Sequence, residues 1–509
     1  MKLITDFQYP KTIHELNTRL TEWLVLFTCF GYPIQVLMVL IIGADSTPVN
    51  LSFRLAYLII SIYLLGYGLL HFKIRVSPIS FFSIRAIRKI LSANRSLLLF
   101  LIIPWAALLL FWLIYGIRLI YELEYKAWLF KGYHKSYIYA WAFGCSLIPA
   151  LAILLNIGTV TKKSLSLNIL IFIFLANMII ALILLYLAGN DIDRIFSIRG
   201  AIVLTGEVKL KGRELLNGIS ISFYGGLTLI TALTRFVFHQ QKLSISMTIF
   251  FVLCLLFGIF NLIAGASRGP LLDLVLISAG ILIIFLLIYI KKLVKYINNR
   301  IGHVKLVNST GSEDNLAEKT LLNKFLLTLL AVFMLITVFT LVVKKSEVKF
   351  KNLAFLERLS SLSNDSIDGN TAFRIDAWKS AWRQFTVNPI FGDSIINDVG
   401  YFYSHNIFMD SLMSVGIVGT IPFLIWFFLS FWYFIRLPAY RKREMSVLFV
   451  AYLAALLLSM TSGGLFTVPE VWILSAAVIG LCQKYLLEPG TPELNKLPSE
   501  PEKTVDAPT

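Results

Sequence analysis

His405 and Asn406 stand where a long polar stretch of the chain runs into an apolar one, and Gly416 and Gly419 follow them. A neutral imidazole can take a proton from a hydroxyl near neutral pH, which lysine and unperturbed carboxylates do poorly. We therefore predict that His405 deprotonates or orients a hydroxyl substrate at a membrane surface, with Asn406 in support. The alternative interpretation is a purely structural histidine.

A tight turn at 267–270, with the sequence Ser-Arg-Gly-Pro, joins two apolar stretches. The turn needs its glycine and proline, but it does not need Arg268. Because a guanidinium donates two parallel hydrogen bonds and keeps its charge, Arg268 is predicted to bind a diphosphate. The alternative is an arginine that reaches lipid phosphate at the surface. Asp273, five residues on, either orients Arg268 or caps the following helix.

The segment 190–218 is a second polar cluster. Its Asp191 and Asp193 form a D-x-D pair, which in many glycosyltransferases holds a divalent metal on a sugar diphosphate. We favour the alternative, a solvated loop whose aspartates cap the next helix, because Arg194 already offsets their charge. No metal site is therefore predicted. Three arginines of the segment are candidates for binding a substrate anion: Arg194, Arg199 and Arg213.

The segment 344–405 is polar, and its second half has the periodicity of a helix. The residues on one predicted face are Arg374, Trp378, Ala381 and Phe385. Asn388 and Pro389 predict the end of this helix, and Gly392 predicts a turn. An arginine and tryptophan face fits an amphipathic lid on the membrane. The alternative is a packing helix whose tryptophans lie among the lipid headgroups.

These clusters lie in a chain whose composition excludes an ordinary soluble protein. Of its 509 residues, 57% are hydrophobic and 15% are charged, and the mean hydropathy is +0.77. Apolar runs long enough to cross a bilayer recur throughout, which predicts an all-α polytopic membrane protein with about twelve transmembrane helices. The predicted spans are 22–42, 54–71, 97–118, 138–158, 167–189, 219–237, 246–266, 270–290, 321–343, 407–434, 445–463 and 467–486.

The distribution of lysine and arginine predicts the orientation. An even number of spans puts both termini on one side, and that side holds more than half of the 46 basic residues. By the positive-inside rule, both termini are cytoplasmic and the polar clusters face the other side. The net charge of +17 then reflects loops beside anionic lipid. Nucleic-acid binding is not predicted, because no basic face with interleaved aromatic residues occurs.

Together the motifs resemble the bacterial O-antigen ligase and polymerase superfamily. The residues that carry the resemblance are Ser267-Arg268-Gly269, Arg374-x3-Trp378 with Asn388-Pro389-x2-Gly392, and His405-Asn406-x9-Gly416-x2-Gly419. The spacing of the histidine, asparagine and glycines is most similar to that of the O-antigen ligases. Those proteins also have a comparable number of spans and a long periplasmic loop between spans nine and ten, where 344–405 falls.

The resemblance covers roughly residues 190–465 and implies a GT-C-like fold. The chain would then have four parts. They are a five-helix membrane part at 1–189, the ligase-like catalytic region at 190–465 with the periplasmic loop 344–405, a last transmembrane helix at 466–486, and a disordered cytoplasmic tail at 487–509.

The same resemblance implies a function in the bacterial inner membrane, with a periplasmic active site and with neither cofactor nor metal. The donor would be a glycan on undecaprenyl diphosphate, and the acceptor would be a sugar hydroxyl of lipid A–core oligosaccharide. Arg268 and His405 map onto the family's diphosphate-binding arginine and acceptor-side histidine. The family has an Asn-Pro-Asn segment after an upstream arginine, but residues 209–217 contain no proline. Candidates for the second diphosphate arginine therefore remain Arg213, Arg199 and Arg194.

Other activities fit the motifs less closely. A polymerase of O-antigen or exopolysaccharide shares the donor chemistry and takes a second lipid-linked glycan as acceptor, and protein O-oligosaccharyltransferases share the histidine motif. A polysaccharide transporter or flippase is the alternative from another class. Transporters place ionisable residues near the midplane of the membrane, whereas here the polar groups cluster at one face.

Overall fold

The computed structural model describes residues 11–42, 46–75, 84–126, 134–160, 162–189, 195, 217–238, 244–265, 267, 269–280, 369–398 and 403–487. Regular structure in these ranges is helical throughout, and no strand occurs in them. This follows from the composition, because a backbone in an apolar environment must satisfy its hydrogen bonds within its own segment.

The helices are numbered here in chain order. They are α1 (Lys11–Ile42), α2 (Ser46–Arg75), α3 (Ile84–Tyr125), α4 (Lys135–Thr159, with a π-helical stretch at Ala140–Leu147), α5 (Lys162–Ala188), α6 (Gly218–Phe238), α7 (Ile245–Gly265), α8 (Gly269–Gly280), α9 (Gly369–Val387), α10 (Ile407–Arg436), α11 (Ala439–Ser462) and α12 (Pro469–Leu487).

Within the described ranges, nine helices are long and apolar enough to cross a membrane, namely α1–α7, α10 and α11. They match nine of the predicted spans, so the prediction of a multi-pass helical membrane protein is confirmed. The predicted span 467–486 coincides with α12, which is largely buried. The span 270–290 is described as far as Gly280, and the span 321–343 lies outside the described residues.

An aromatic cluster packs α3, α10 and α12 together in the core. The Phe111 ring of α3 lies 5.2 Å from Trp472 of α12 and 5.3 Å from Phe423 of α10. Phe423 and Trp472 are themselves 5.9 Å apart. All three side chains are fully buried, and contacts of this kind each add about 0.5–1.5 kcal/mol beyond the burial of area. This cluster holds α10, which begins directly after His405 and Asn406, against α3 and α12.

Helices α6 and α7 approach each other at small residues. A Cβ atom added to Gly225 would lie 2.5 Å from the backbone nitrogen of Leu262, and one added to Gly218 would lie 2.5 Å from the oxygen of Gly265. The hydroxyl of Ser222 accepts a hydrogen bond from the backbone N–H of Ser267 at 3.1 Å. Close helix packing therefore ties the start of α6 to the turn that follows α7.

Candidate functional site

Three of the polar clusters meet at one end of the helix bundle. A Cβ atom added to Gly269 would lie 3.2 Å from Oγ1 of Thr461, near the end of α11. Arg374 of α9 donates a hydrogen bond from Nη2 to Oγ of Ser462 at 3.3 Å. The turn at 267–270 and the helix that carries Arg374 therefore both contact the last residues of α11.

His405 lies in a tight turn between Ser404 and Asn406, and its φ of 60° is the only positive value at a non-glycine residue in the described ranges. The backbone N–H of Ser404 donates to Oδ1 of Asp410 at 2.6 Å, and the Ser404 hydroxyl donates to the carbonyl of Asn406 at 2.9 Å. A positive φ at a non-glycine residue costs on the order of 1–3 kcal/mol, and it persists only where the surrounding contacts stabilise that conformation. The turn holds His405 in one orientation.

Asn406 is the N-cap of α10. Its Oδ1 accepts hydrogen bonds from the backbone N–H groups of Phe408 (3.0 Å) and Met409 (3.1 Å), which satisfies two of the free donors at the helix start. Its Nδ2 donates to the carbonyl of Met460 at 3.1 Å. Asn406 thus fixes the position of the His405 turn against α11.

The His405 ring is half-buried between two aromatic rings. Its centroid lies 4.5 Å from that of Tyr403 and 5.3 Å from that of Phe373. Burial, together with the positive charge of Arg374, lowers the pKa of His405 from 6.5 to about 4. The imidazole is therefore neutral at pH 7, and it can accept a hydrogen bond from a hydroxyl through one nitrogen.

Two further predicted site residues carry buried polar atoms without hydrogen bonds. Nε1 of Trp378, one turn along α9 from Arg374, is buried and has no partner in the described part of the chain. The same holds for Oδ2 of Asp273 in α8, whose side chain is 4% exposed. A buried polar group left unpaired costs about 1–3 kcal/mol. Nε1–H of Trp378 can therefore donate a hydrogen bond to a ligand, and Oδ2 of Asp273 can accept one.

Several predicted site residues lie outside the described ranges. They are Arg268, Arg213, Arg199, Arg194, Asp191 and Asp193. The roles proposed for them stay predictions, as does independence from metal. Within the described ranges, no three His, Cys, Asp or Glu side chains converge as metal ligands would.

The helix predicted in the second half of segment 344–405 is confirmed as α9. α9 ends at Val387, directly before Asn388 and Pro389, and Gly392 adopts the turn conformation with φ of 74°. The most buried residues form a stripe at Ala377, Ser380, Ala381 and Gln384. Ala381 belongs both to this stripe and to the predicted face, and Arg374 and Trp378 of that face flank the stripe. The orientation of the predicted face toward a membrane stays a prediction.

The segment after α9 inserts into a break in α10, which the sequence did not reveal. Gly416 has φ of 58° and ψ of −160°, so the helix is interrupted there. The freed N–H of Ile417 donates to the carbonyl of Pro389 at 2.8 Å, and that of Val418 donates to Ile390 at 3.1 Å. A Cβ atom on Gly416 would lie 2.5 Å from the backbone nitrogen of Gly392. The two motif glycines are therefore the points where two backbones touch.

Arg118 and Glu122 of α3 hold this inserted segment, although no motif includes them. Arg118 donates from Nη2 to the carbonyl of Gly392 at 2.5 Å and from Nε to that of Ser414 at 3.2 Å. The fully buried carboxylate of Glu122 accepts hydrogen bonds from the hydroxyl of Ser394 and the backbone N–H of Ile395, each at 3.0 Å. The one signal in the sequence was an arginine and a glutamate four residues apart near the end of an apolar span.

Arg118→Met is expected to destabilise the protein by about 3 kcal/mol, because it leaves the buried Glu122 carboxylate without its cation. Arg383→Met is the matched control, since the ion pair of Arg383 with Asp398 is exposed and such pairs contribute about 1 kcal/mol or less. Thermal unfolding in detergent and proteolysis of 388–398 would measure both. Equal losses in the two variants would contradict the role of Arg118.

Neither the scan against protein-family models nor the search of curated proteins finds a match for this chain. The class is therefore defined by the fold and the site themselves. The protein is a multi-pass helical membrane protein with a polar cluster, centred on His405 and Arg374, at one end of its bundle.

Proposed function

We propose that the protein is a membrane glycosyltransferase of the O-antigen ligase type. It transfers a glycan from undecaprenyl diphosphate to a sugar hydroxyl of lipid A–core, on the periplasmic side of a bacterial inner membrane. The observation that carries the proposal is the His405 turn. A neutral, half-buried imidazole is held beside Arg374 where polar chain meets an apolar span. Among the described residues, no hydrogen bond to a ring nitrogen of His405 occurs.

In the proposed reaction, the acceptor hydroxyl attacks the anomeric carbon of the donor glycan. The new glycosidic bond forms as the bond to the diphosphate breaks, which inverts the anomeric centre. Arg268, Arg374 and an arginine of 190–218 stabilise the negative charge on the leaving diphosphate, which is the role of preorganised donors in catalysis. The hydroxyl proton passes to His405 or, through it, to water. Positioned general bases contribute about 10²–10⁴-fold.

The low pKa of His405 suits a site that first binds an anion. With the site empty, Arg374 disfavours the imidazolium, and the ring is a weak base. A diphosphate beside Arg374 would offset that charge and raise the pKa of His405, so the base would become stronger when the donor is bound. Binding of the donor at Arg374 of α9 would thus increase the basicity of His405 in the turn before α10.

The pH dependence of His405 modification tests this arrangement without any substrate. Diethyl pyrocarbonate reacts with neutral imidazole, so the modification of His405 in the wild type is expected to be nearly constant from pH 5.5 to 8. Arg374→Met removes one of the two causes that lower the pKa, and the half-point of the curve should move upward. Exposed His134 is the internal reference in the mass spectra. A wild-type half-point near pH 6.5 would contradict the burial and charge argument.

Transfer by the purified protein tests the function directly. Lipid-linked glycan as donor is supplied with either lipid A–core or a second lipid-linked glycan as acceptor, and the product identifies a ligase or a polymerase. EDTA is expected to leave transfer largely intact, and Asp191→Ala with Asp193→Ala is expected to have a mild effect. Loss of transfer in EDTA that Mg²⁺ or Mn²⁺ restores would instead support metal binding at the D-x-D pair.

A further inference from the structure

Arg54 is a cation placed inside an apolar span. It lies in α2 within the stretch Pro48–Leu70, which has the length and hydropathy of a membrane span, and it is 8% exposed. A charged residue within a span is costly and usually marks a functional group with a partner. The chemistry around Arg54 therefore indicates what it binds.

The described partners of Arg54 are all neutral. Its Nε donates to Oδ1 of Asn50 at 2.9 Å, and its Nη2 donates to the hydroxyl of Tyr137 at 2.9 Å. The guanidinium also lies over two rings of α4, 4.1 Å from the centroid of Tyr137 and 4.2 Å from that of Trp141. Aromatic faces stabilise a cation, but they leave its charge uncompensated.

One donor of the Arg54 guanidinium has no hydrogen-bond partner in the described part of the chain. Nη1 of Arg54 is buried and makes no hydrogen bond to any described residue. No carboxylate of the described ranges lies within ion-pair distance of Arg54. Glu470 is in the same region, since it and Arg54 both act electrostatically on the Cys145 thiol, but the two do not pair. The group thus offers positive charge and a free N–H to an anion.

This group lies on the same end of the bundle as His405. The Trp141 ring is 6.2 Å from that of Phe466, in the turn between α11 and α12. Gly464 of the same turn contacts the His405 segment, since a Cβ atom there would lie 2.8 Å from Cβ of Tyr403. Arg54 and His405 are therefore each connected to the same short turn, Arg54 through Trp141 and His405 through Tyr403.

We propose that Arg54, framed by Tyr137 and Trp141, binds a phosphate oxyanion carried by a lipid. A planar guanidinium fits the oxygens of a phosphate group, keeps its charge in an apolar environment and stacks on aromatic rings, none of which an ammonium does as well. The site is separate from Arg268 and Arg374 and belongs to helices α2 and α4, which carry no motif. The phosphate comes either from the headgroup of a bilayer lipid or from a lipid-linked substrate.

Native mass spectrometry of the full-length protein in detergent tests the site with two probes, phosphatidylglycerol and undecaprenyl phosphate, titrated separately. Arg54→Gln is expected to weaken the first bound lipid of at least one probe by tenfold or more. Arg54→Lys keeps the charge but loses the planar guanidinium, so it should also weaken lipid binding. This second variant keeps the test informative if Arg54→Gln does not fold. Both variants are compared with the wild type at matched elution volume and melting temperature.

Arg436→Gln is the matched control, because Arg436 also stacks on a tryptophan, 4.4 Å from Trp432, but lies at the other end of α10. Weakening of phosphatidylglycerol binding at Arg54 identifies a headgroup as the source. Weakening confined to undecaprenyl phosphate identifies a lipid-linked substrate. Unchanged binding of both probes in both Arg54 variants, or equal weakening by Arg436→Gln, overturns the proposal. Either result leaves the transfer assay of the His405 site unaffected, so the two proposals fail separately.

Discussion

His405→Asn is expected to lower glycan transfer by about 10²–10⁴-fold, the usual contribution of a positioned general base. Asparagine is preferred to alanine here because His405 has φ of 60°, which asparagine adopts more readily, so a loss of activity is not caused by a strained backbone. The melting temperature should then stay near that of the wild type. Transfer from lipid-linked donor to lipid A–core, measured in the purified protein, gives the rate.

Donor binding separates the histidine from the arginines. His405→Asn should leave binding of the lipid-linked diphosphate close to the wild-type level, because the imidazole is assigned to the acceptor hydroxyl. Arg268→Lys keeps the charge but loses the bidentate geometry, so it should weaken both donor binding and transfer severely. If both variants bound donor and transferred glycan at the wild-type rate, these residues would be membrane anchors. A transporter would then become the better interpretation of the chain.

The sequence predicted the elements that depend on local patterns. Long apolar runs predicted the spanning helices, and Asn388 with Pro389 predicted the end of α9 at Val387. Both predictions rest on chemistry within a few residues: backbone satisfaction in an apolar environment, and the loss of an N–H at proline. The position of His405 at the start of α10 followed in the same way from the change in composition.

Features that depend on contacts distant in sequence could not be predicted. Arg118 and Glu122 hold residues more than 270 positions away, and nothing near them in the chain indicates those partners. The most buried stripe of α9 could not be predicted for a related reason. A helical pattern shows which residues share a face, but the neighbouring helix decides how closely each of them is approached. The candidate site at Arg54 likewise depends on a contact with Tyr137 of α4, which lies 83 residues further along the chain.

The helix break at Gly416 could not be predicted, although Gly392 and Gly416 were both identified as motif residues in the sequence. A glycine inside an apolar span is ordinarily a packing residue. Here, Gly416 has a positive φ, and the N–H groups of Ile417 and Val418 after it donate to the carbonyls of Pro389 and Ile390 instead of to α10. The spacing between the His405 turn and Gly416 is therefore the length of one half-helix. That half-helix connects the inserted segment to the candidate site.

Gly416→Ala is accordingly expected to be among the most destabilising single substitutions in the described part of the chain. Gly416 has φ of 58° and ψ of −160°, a backbone conformation essentially restricted to glycine, and forcing alanine into it costs about 1–3 kcal/mol. Its Cβ would also lie 2.5 Å from the carbonyl of Ile390, a backbone contact that cannot yield without moving the inserted segment. We expect a loss of about 3 kcal/mol or more in stability, with a lower melting temperature and faster proteolysis at 388–398.

Gly66→Ala is the matched control for this substitution. Gly66 is an exposed glycine within α2, and a Cβ atom there would have no atom within 4 Å. The change should be neutral or stabilise the helix by up to about 1 kcal/mol, the propensity difference between the two residues. A melting temperature for Gly416→Ala that equals that of Gly66→Ala would mean that α10 is not broken at Gly416. In that case the N–H groups of Ile417 and Val418 would not be free to bond the inserted segment. The close backbone contact between Gly392 and Gly416 would then not explain why both positions are glycine.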